Sequence, residues 1–386
     1  MRQKVKKSDI AILLNSFWNS GAGVSGGDIR LIQILKRIKD KFKRVDVYCS
    51  EDAKKVVEEY EKRGINFILS GKYFDNKGVL KAYSRRASWA KREIIKDKYD
   101  IVYASSDFFT DVVPCNNYKK KNPKTKWVQC IFHVYPNWYR RPGSKLRNLA
   151  GTLAQKRSFR MIKKSADAVV VLNTQVSDYL IKIGFGKKKV FLNPCGVDLA
   201  FFDSIKAQKR ENQAVFLARL MPSKGINDFA KIWKYVIRAI PSAKLKVIGG
   251  GSEEVINDLK AQFKSFKVEK NIELLGFLDN EEAFKTVKES QLFLFPSYEE
   301  GFGMAIAEAF ACGLPAVAWN LPVYKEVFPK GIYVADVGDC EQFAQLVIDL
   351  LKNEKKRSLA STEARATAEK YGWDGIAQRE ISIIEQ

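Results

Sequence analysis

Histidine is almost missing from this chain: His133 is its only one. The six cysteines, Cys49, Cys115, Cys130, Cys195, Cys312 and Cys340, include no Cys-x-x-Cys pair. That scarcity argues against a structural zinc site and a disulfide framework, and for a reducing compartment. No Asp-x-Asp pair occurs, so a common device for holding a divalent cation is absent. No stretch approaches the roughly 18 apolar residues that a bilayer-crossing helix requires. The basic N-terminus with Ile10 to Leu14 looks superficially like a signal peptide. Its apolar run is too short and stops at Asn15, so it reads as a first strand. Internal repeats and low-complexity tracts are also lacking.

Acidic residues are scarce in the first half only. Residues 1–200 hold 18 Asp+Glu against 42 Lys+Arg, net +24, whereas residues 201–386 hold 26 against 25, net −1, which together give the whole-chain +23. The asymmetry implies an anionic partner for the first half: nucleic acid, a membrane surface or a phosphorylated acceptor. No zinc-finger spacing or RNA-recognition signature is present, and the charge is spread over several helical stretches. No nucleic acid is therefore expected.

The chain's 386 residues suffice for two cores. Short apolar, β-branched runs alternate with longer segments of helical period, the pattern of parallel sheets with crossover helices. The runs begin near residues 9, 45, 65, 101, 126, 168 and 190, and restart after the polar stretch 203–213 near 214, 245, 272, 292, 315 and 331. This predicts an α/β protein of two doubly wound, Rossmann-like domains facing across a cleft, with ligands at the strand C-terminal ends. The domains are expected over 1–195 and 196–372, followed by a helix over 373–386.

The strand Leu292–Pro296 runs into Tyr298-Glu299-Glu300-Gly301-Phe302-Gly303-Met304, and a helix carrying Glu308 follows. A strand, a glycine turn and a helix start leave unpaired amides and a positive dipole end facing a ligand, which suits an anion. The helix is expected to close at Gly313, before Pro315. Upstream, Arg219-Leu220-Met221-Pro222-Ser223-Lys224-Gly225 follows the strand that starts at Ala214. It offers a guanidinium fork and a compact ammonium to phosphoryl oxygens.

At these segments the chain resembles the retaining glycosyltransferases of the GT4 family, which have the GT-B fold. The resemblance implies that Glu300, with the amides of Phe302, Gly303 and Met304, holds a donor sugar, and that Glu308 grips the ribose of its nucleotide. It implies that Arg219 and Lys224 hold the diphosphate and that Gly26 and Gly27 lie against the donor phosphate. His133, at the end of the strand from Lys126, would line the sugar pocket, although a lone histidine reads equally as a satisfied core residue. Gly250 would border the nucleotide and Leu278 would lie in the segment whose backbone reads the base. Asn193-Pro194-Cys195-Gly196-Val197-Asp198 resembles an interdomain element with two residues inserted. The terminal helix would cross back onto the first domain.

The implied reaction moves a hexose, with retention and without a metal, from a nucleotide diphosphate sugar, UDP- or GDP-linked, to a lipid-linked, lipopolysaccharide or polysaccharide acceptor. A soluble sugar or sugar phosphate is the alternative acceptor. No cofactor is expected. The first domain would bind the acceptor and the second the donor, with aromatic and arginine residues from Tyr135 to Arg141 as walls. Segments 83–92 and 146–160 set apolar residues beside basic ones, as a helix on an anionic membrane would. The expected location is cytoplasmic, peripheral on the inner face of the membrane. One rival remains: Gly21, Gly23 and Gly26 spell a dehydrogenase-type dinucleotide fingerprint, with Glu51 or Asp52 for a ribose. That fingerprint wants its first glycine directly after the strand, and here Ser16 to Ser20 intervene.

Overall fold

A computed structural model describes residues 7–17, 24–71, 79–139, 141 and 144–386. Gly21 and Gly23, the first glycines of the rival fingerprint, lie outside the described residues.

The first sheet holds β1 (Asp9–Leu14), β2 (Arg44–Cys49), β3 (Asn66–Leu69), β4 (Ile101–Ala104), β5 (Lys126–Ile131), β6 (Ala168–Val171) and β7 (Val190–Leu192). Its order is β3-β2-β1-β4-β5-β6-β7, with every pair parallel. The second holds β8 (Gln213–Leu217), β9 (Lys244–Ile248), β10 (Ile272–Gly276), β11 (Leu292–Phe295), β12 (Ala316–Trp319) and β13 (Ile332–Ala335). It runs β10-β9-β8-β11-β12-β13, again all parallel. Each apolar run expected from the sequence is thus a strand.

The connecting helices of the first sheet are α1 (Gly26–Ile38), α2 (Glu51–Tyr60), α3 (Val79–Glu93), α4 (Phe109–Lys121), α5 (Lys145–Ser165) and α6 (Thr174–Lys182). Those that follow are α7 (Leu199–Ser204), α8 (Phe229–Ala239), α9 (Glu253–Phe266), α10 (Asn280–Glu289), α11 (Met304–Ala311), α12 (Pro322–Val327), α13 (Cys340–Lys352), α14 (Glu354–Ala368) and α15 (Trp373–Glu385). Helices cover both faces of a parallel sheet, so its strands are apolar continuously rather than alternately. In β1, Ile10, Ile12 and Leu14 pack with Leu31 and Ile34 of α1, while Ala11 and Leu13 join Ala90 of α3 and Val112 of α4 on the other side.

Two crossings join the halves. The segment after β7 and the one before α15 run side by side: Val197 N donates to Tyr371 O at 2.8 Å, and Val197 bridges Gly372. A side chain at Gly196 would strike the Trp373 ring at 2.6 Å. Beyond this pair, α15 packs on α1. There the Arg30 guanidinium meets Glu380 Oε2 at 2.7 Å, with both side chains at or below 1% exposure. Tyr103 donates to Glu380 Oε1 at 2.6 Å and Asn193 Nδ2 to Oε2 at 2.6 Å. Asn193, which the interdomain motif left without a clear role, is a fully buried pin for this helix.

Candidate functional site

The strand orders reverse direction between β1 and β4, and between β8 and β11. A crevice opens at such switch points, beyond the strand C-terminal ends. The site is built on those four ends.

After β8 the chain makes a 3-10 turn, Pro222–Lys224, that closes at Gly225 with φ +72°. A Cβ there would lie 1.8 Å from Pro296 O, so only glycine lets this turn rest on the end of β11. Tyr298 N donates to Ser223 O at 2.9 Å and ties the two turns together. The result is a contact that the motifs had treated as separate groups: Lys224 Nζ donates to Glu300 Oε1 at 2.5 Å, and Ser297 Oγ donates to the same oxygen at 2.9 Å. Arg219, by contrast, makes no hydrogen bond or ion pair with the described residues and remains half-buried.

Two helix N-termini meet across the cleft. α11 starts at Met304 behind Gly303, whose φ is +97°, and has no side-chain cap. α1 starts at Gly26. A side chain at Gly26 would strike Met304 Sδ at 2.9 Å, one at Gly27 would strike Phe132 at 2.5 Å, and one at Gly301 would strike Phe132 O at 2.2 Å. Gly26 and Gly301 are therefore where one half abuts the other, while Gly27 lets α1 close on Phe132 within the first half. Both dipoles present their positive ends here. Burial raises the pKa of Asp28, in the first turn of α1, and the hydrogen bond from Ser25 and the nearby Arg219 only partly offset this. The Arg219 charge is thus near enough to α1 to act on Asp28.

Glu308 lies in the second turn of α11, and its carboxyl makes no hydrogen bond with the described residues. Burial alone pushes its pKa up to about 8. A side chain held this way is short of a donor, which a pair of ligand hydroxyls would supply.

The first half supplies the opposite wall. His133 is half-buried, edge-on to Tyr135 at 4.9 Å. Burial lowers its pKa, against the opposing pull of Glu299 and Glu300, so the ring is neutral near pH 7. Gln155 of α5 organises this wall: its Nε2 donates to Asp107 Oδ2 at 2.8 Å and to His133 O at 3.0 Å, and its Oε1 accepts from Tyr135 N at 3.0 Å. Arg141 forms a two-pronged pair with Glu299, 2.8 Å on each prong, that spans the cleft. Asn173 Nδ2 also spans it, donating to Gly301 O at 2.5 Å.

Gly250 O accepts from Leu220 N at 2.8 Å, which brings the turn after β9 against the Arg219 segment. Leu278 follows β10 and is part-buried. The Phe302 side chain points into the core against Phe328 and Tyr371, so only its backbone can face a ligand. Sequence reasoning missed Asp107, Asp111 and Gln155, and named Arg141 as an acceptor wall without its pairing to Glu299. Asp111 is fully buried and accepts from Asn15 N at 2.8 Å and Ser106 Oγ at 2.6 Å. Burial carries Asp107 and Asp111 up to about 6 and 7. A Ser-Ser-Asp run at the end of β4, beside a switch point, was the available signal.

Residues 24–201 match the family profile described as Glycosyltransferase Family 4, and residues 199–367 the one described as Glycosyl transferases group 1. The chain is a GT4-type glycosyltransferase of the GT-B fold. It is 27% identical over 250 residues to the GDP-mannose-dependent monoacylated alpha-(1-6)-phosphatidylinositol monomannoside mannosyltransferase of Corynebacterium glutamicum, covering 58% of this chain and 64% of that one. It is 27% identical over 210 residues to the poly(glycerol-phosphate) alpha-glucosyltransferase of Bacillus subtilis, covering 53% of this chain and 30% of that one. It therefore matches less than two thirds of the length of either relative. The crystal structure of Anabaena HepE with UDP and glucose superposes with a TM-score of 0.76 at 16% identity, covering 98% of this chain and 99% of that one.

In this GT4-type chain the raised Glu308 pKa has a measurable sign. The folded carboxyl keeps its proton up to about pH 8, while the unfolded one releases it near 4.5, so stability falls as pH rises between those values. Glu308→Gln is expected to flatten that dependence, by at most about 1.4 kcal/mol per pH unit. Urea midpoints of both proteins at pH 5 to 8 check it; parallel curves would refute it.

Proposed function

We propose that this GT4-type chain transfers a hexose from a UDP- or GDP-linked sugar to a lipid-linked or polysaccharide acceptor, with retention and without a metal. The observation that carries the reading is the meeting of the α1 and α11 N-termini, with the Lys224–Glu300 pair on the turn that leads into α11 and the Arg219 charge acting on Asp28 in the first turn of α1. Charge grows on the diphosphate as the glycosidic bond breaks. Oriented amides and two cations oppose that growth without having to reorganise.

The donor then lies mostly on the second domain, with Glu300 and the amides after Phe302 at the sugar and Glu308 at the ribose. His133, kept neutral by burial, contributes a hydrogen bond to the sugar rather than a charge. Among the described residues, the first-domain carboxylates around the cleft are already engaged: Asp107 accepts from Gln155, Asp111 from Asn15 N and Ser106, and Asp28 from Ser25. A front-face route follows, in which the departing phosphate oxygen accepts the acceptor hydroxyl's proton as the new glycosidic bond forms.

The basic first domain supports an acceptor at an anionic membrane surface, and a cytoplasmic, peripheral location. No helix among the described residues is long and apolar enough to cross a bilayer. Sugar transfer in excess chelator tests the chemistry, with a panel of UDP-, GDP- and ADP-sugars as donors. Undiminished turnover is expected; a requirement for added Mg2+ or Mn2+ would overturn the metal-free reading. Faster turnover on soluble sugars than on lipid-linked ones would move the assignment to the soluble acceptor.

A further inference from the structure

Of the two segments that set apolar beside basic residues, only one presents apolar side chains to solvent. In α3, Ala82, Ala87 and Ala90 are buried and Trp89 packs at 6.1 Å on Tyr48, so between residues 83 and 92 the exposed side chains are serines and basic residues. In α5, Leu146 is 81% exposed and Leu153 57%. Just before that helix, Trp138 and Tyr139 stand 37% and 52% exposed, ring against ring at 5.8 Å. Lys145 of α5 donates to Tyr139 O at 2.7 Å and holds this turn against the helix start.

The exposed apolar residues belong to one line. Positions 146, 150, 153, 157, 160 and 164 recur every three or four residues, so they share one face of α5, and all six are exposed. Along that line Leu146, Ala150 and Leu153 give way to Arg157, Arg160 and Lys164. The helix contains no acidic residue at all. Its opposite face is buried and includes Gln155, the residue that braces His133, Tyr135 and Asp107.

We propose that this exposed face of α5 is the surface by which the chain docks on an anionic lipid bilayer. The proposal rests on the lipid-acceptor reading above and adds the place and orientation of contact. An apolar end and a basic end along one helix suit an oblique seat, with Leu146 and Leu153 below the headgroups and the arginines among lipid phosphates. Charge complementarity names the partner, and the apolar end distinguishes it from nucleic acid, whose phosphates give Leu146 and Leu153 nothing to bury into. In this pose a single helix separates the bilayer from the wall of the cleft, and a lipid-anchored acceptor enters from the side of Tyr135.

Flotation of the full chain with phosphatidylcholine vesicles, with and without phosphatidylglycerol, tests it at low salt and at roughly 0.15 M salt. Leu146→Glu/Leu153→Glu is expected to lose on the order of tenfold in binding to the anionic vesicles at the higher salt, where the apolar contribution dominates. Arg157→Glu/Arg160→Glu is expected to erase the preference for phosphatidylglycerol at low salt. Both variants change only exposed side chains, so donor-sugar hydrolysis and Tm should match those of the parent protein. Two results would overturn the proposal: vesicle binding by both variants equal to the parent's, or release of the parent from vesicles by competing RNA. Loss of vesicle binding together with a preference for soluble acceptors would leave the docking surface standing and refute only the lipid-acceptor reading.

Discussion

Lys224→Ala is expected to slow sugar transfer on the order of 10²- to 10³-fold in kcat, equivalent to about 3–4 kcal/mol of transition-state stabilisation. Lys224 is one of the two cations on the turns after β8, and it is the one already bound to a partner. Its ammonium lies 2.5 Å from Glu300 Oε1, while Arg219 has no such anchor. Removing the ammonium takes a charge from the diphosphate and leaves the Glu300 carboxylate, 10% exposed, without its counter-ion. The loss should therefore fall on kcat more than on nucleotide affinity, because Glu308 and the backbone turns that hold the nucleotide are untouched. Lys224→Arg is expected to recover little, since a planar fork does not reproduce the single short contact that the compact ammonium makes with Glu300 Oε1 beside Phe295. A cycle with Glu300→Gln should show strong coupling, as residues in contact do. Steady-state rates with nucleotide affinity measured separately decide the matter. A tenfold or smaller loss in kcat would mean that the α1 and α11 termini bear the developing charge without it.

The largest expected loss of stability is far from the cleft floor. Glu380→Ala should cost about 3–5 kcal/mol, because it strands the Arg30 guanidinium in a site where 1% of the side chain meets water. Tyr103 and Asn193 lose an acceptor in the same step. Arg30 retains the carbonyls of Asn193 and Pro194, at 3.0 and 3.3 Å, which can solvate but not neutralise it. The damage should concentrate where α15 lies on α1, so faster amide exchange on those two helices is expected beside a lower urea midpoint. Glu380→Gln keeps the shape and an acceptor and should lose less. Unchanged exchange on α15 in the Ala variant would show that the Trp373 end holds the helix alone. The same contact ties the second half's last segment to the first domain, so loosening it should also change how the halves meet.

Some of this was legible in the amino acids and some was not, and the division has a physical cause. Strands buried on both faces are written as continuous apolar runs, so the two parallel sheets could be read directly, from Ile10–Leu14 to Leu292–Phe295. Residues that need a special backbone are equally plain, because only glycine fits Gly225 and Gly303, and they mark the turns from which Lys224 and Glu300 project. What a sequence cannot carry is the distance between residues far apart along it. The Lys224–Glu300 pair, the Arg141–Glu299 clasp and the Arg30–Glu380 bridge span 76, 158 and 350 positions. The first exists because β8 and β11 end side by side in one sheet, the second because the two halves meet across the cleft, and the third because α15 packs on α1. Burial is likewise a property of packing: Leu146 and Ala90 are both apolar residues in basic helical stretches, and only neighbouring helices decide that one meets solvent and the other does not.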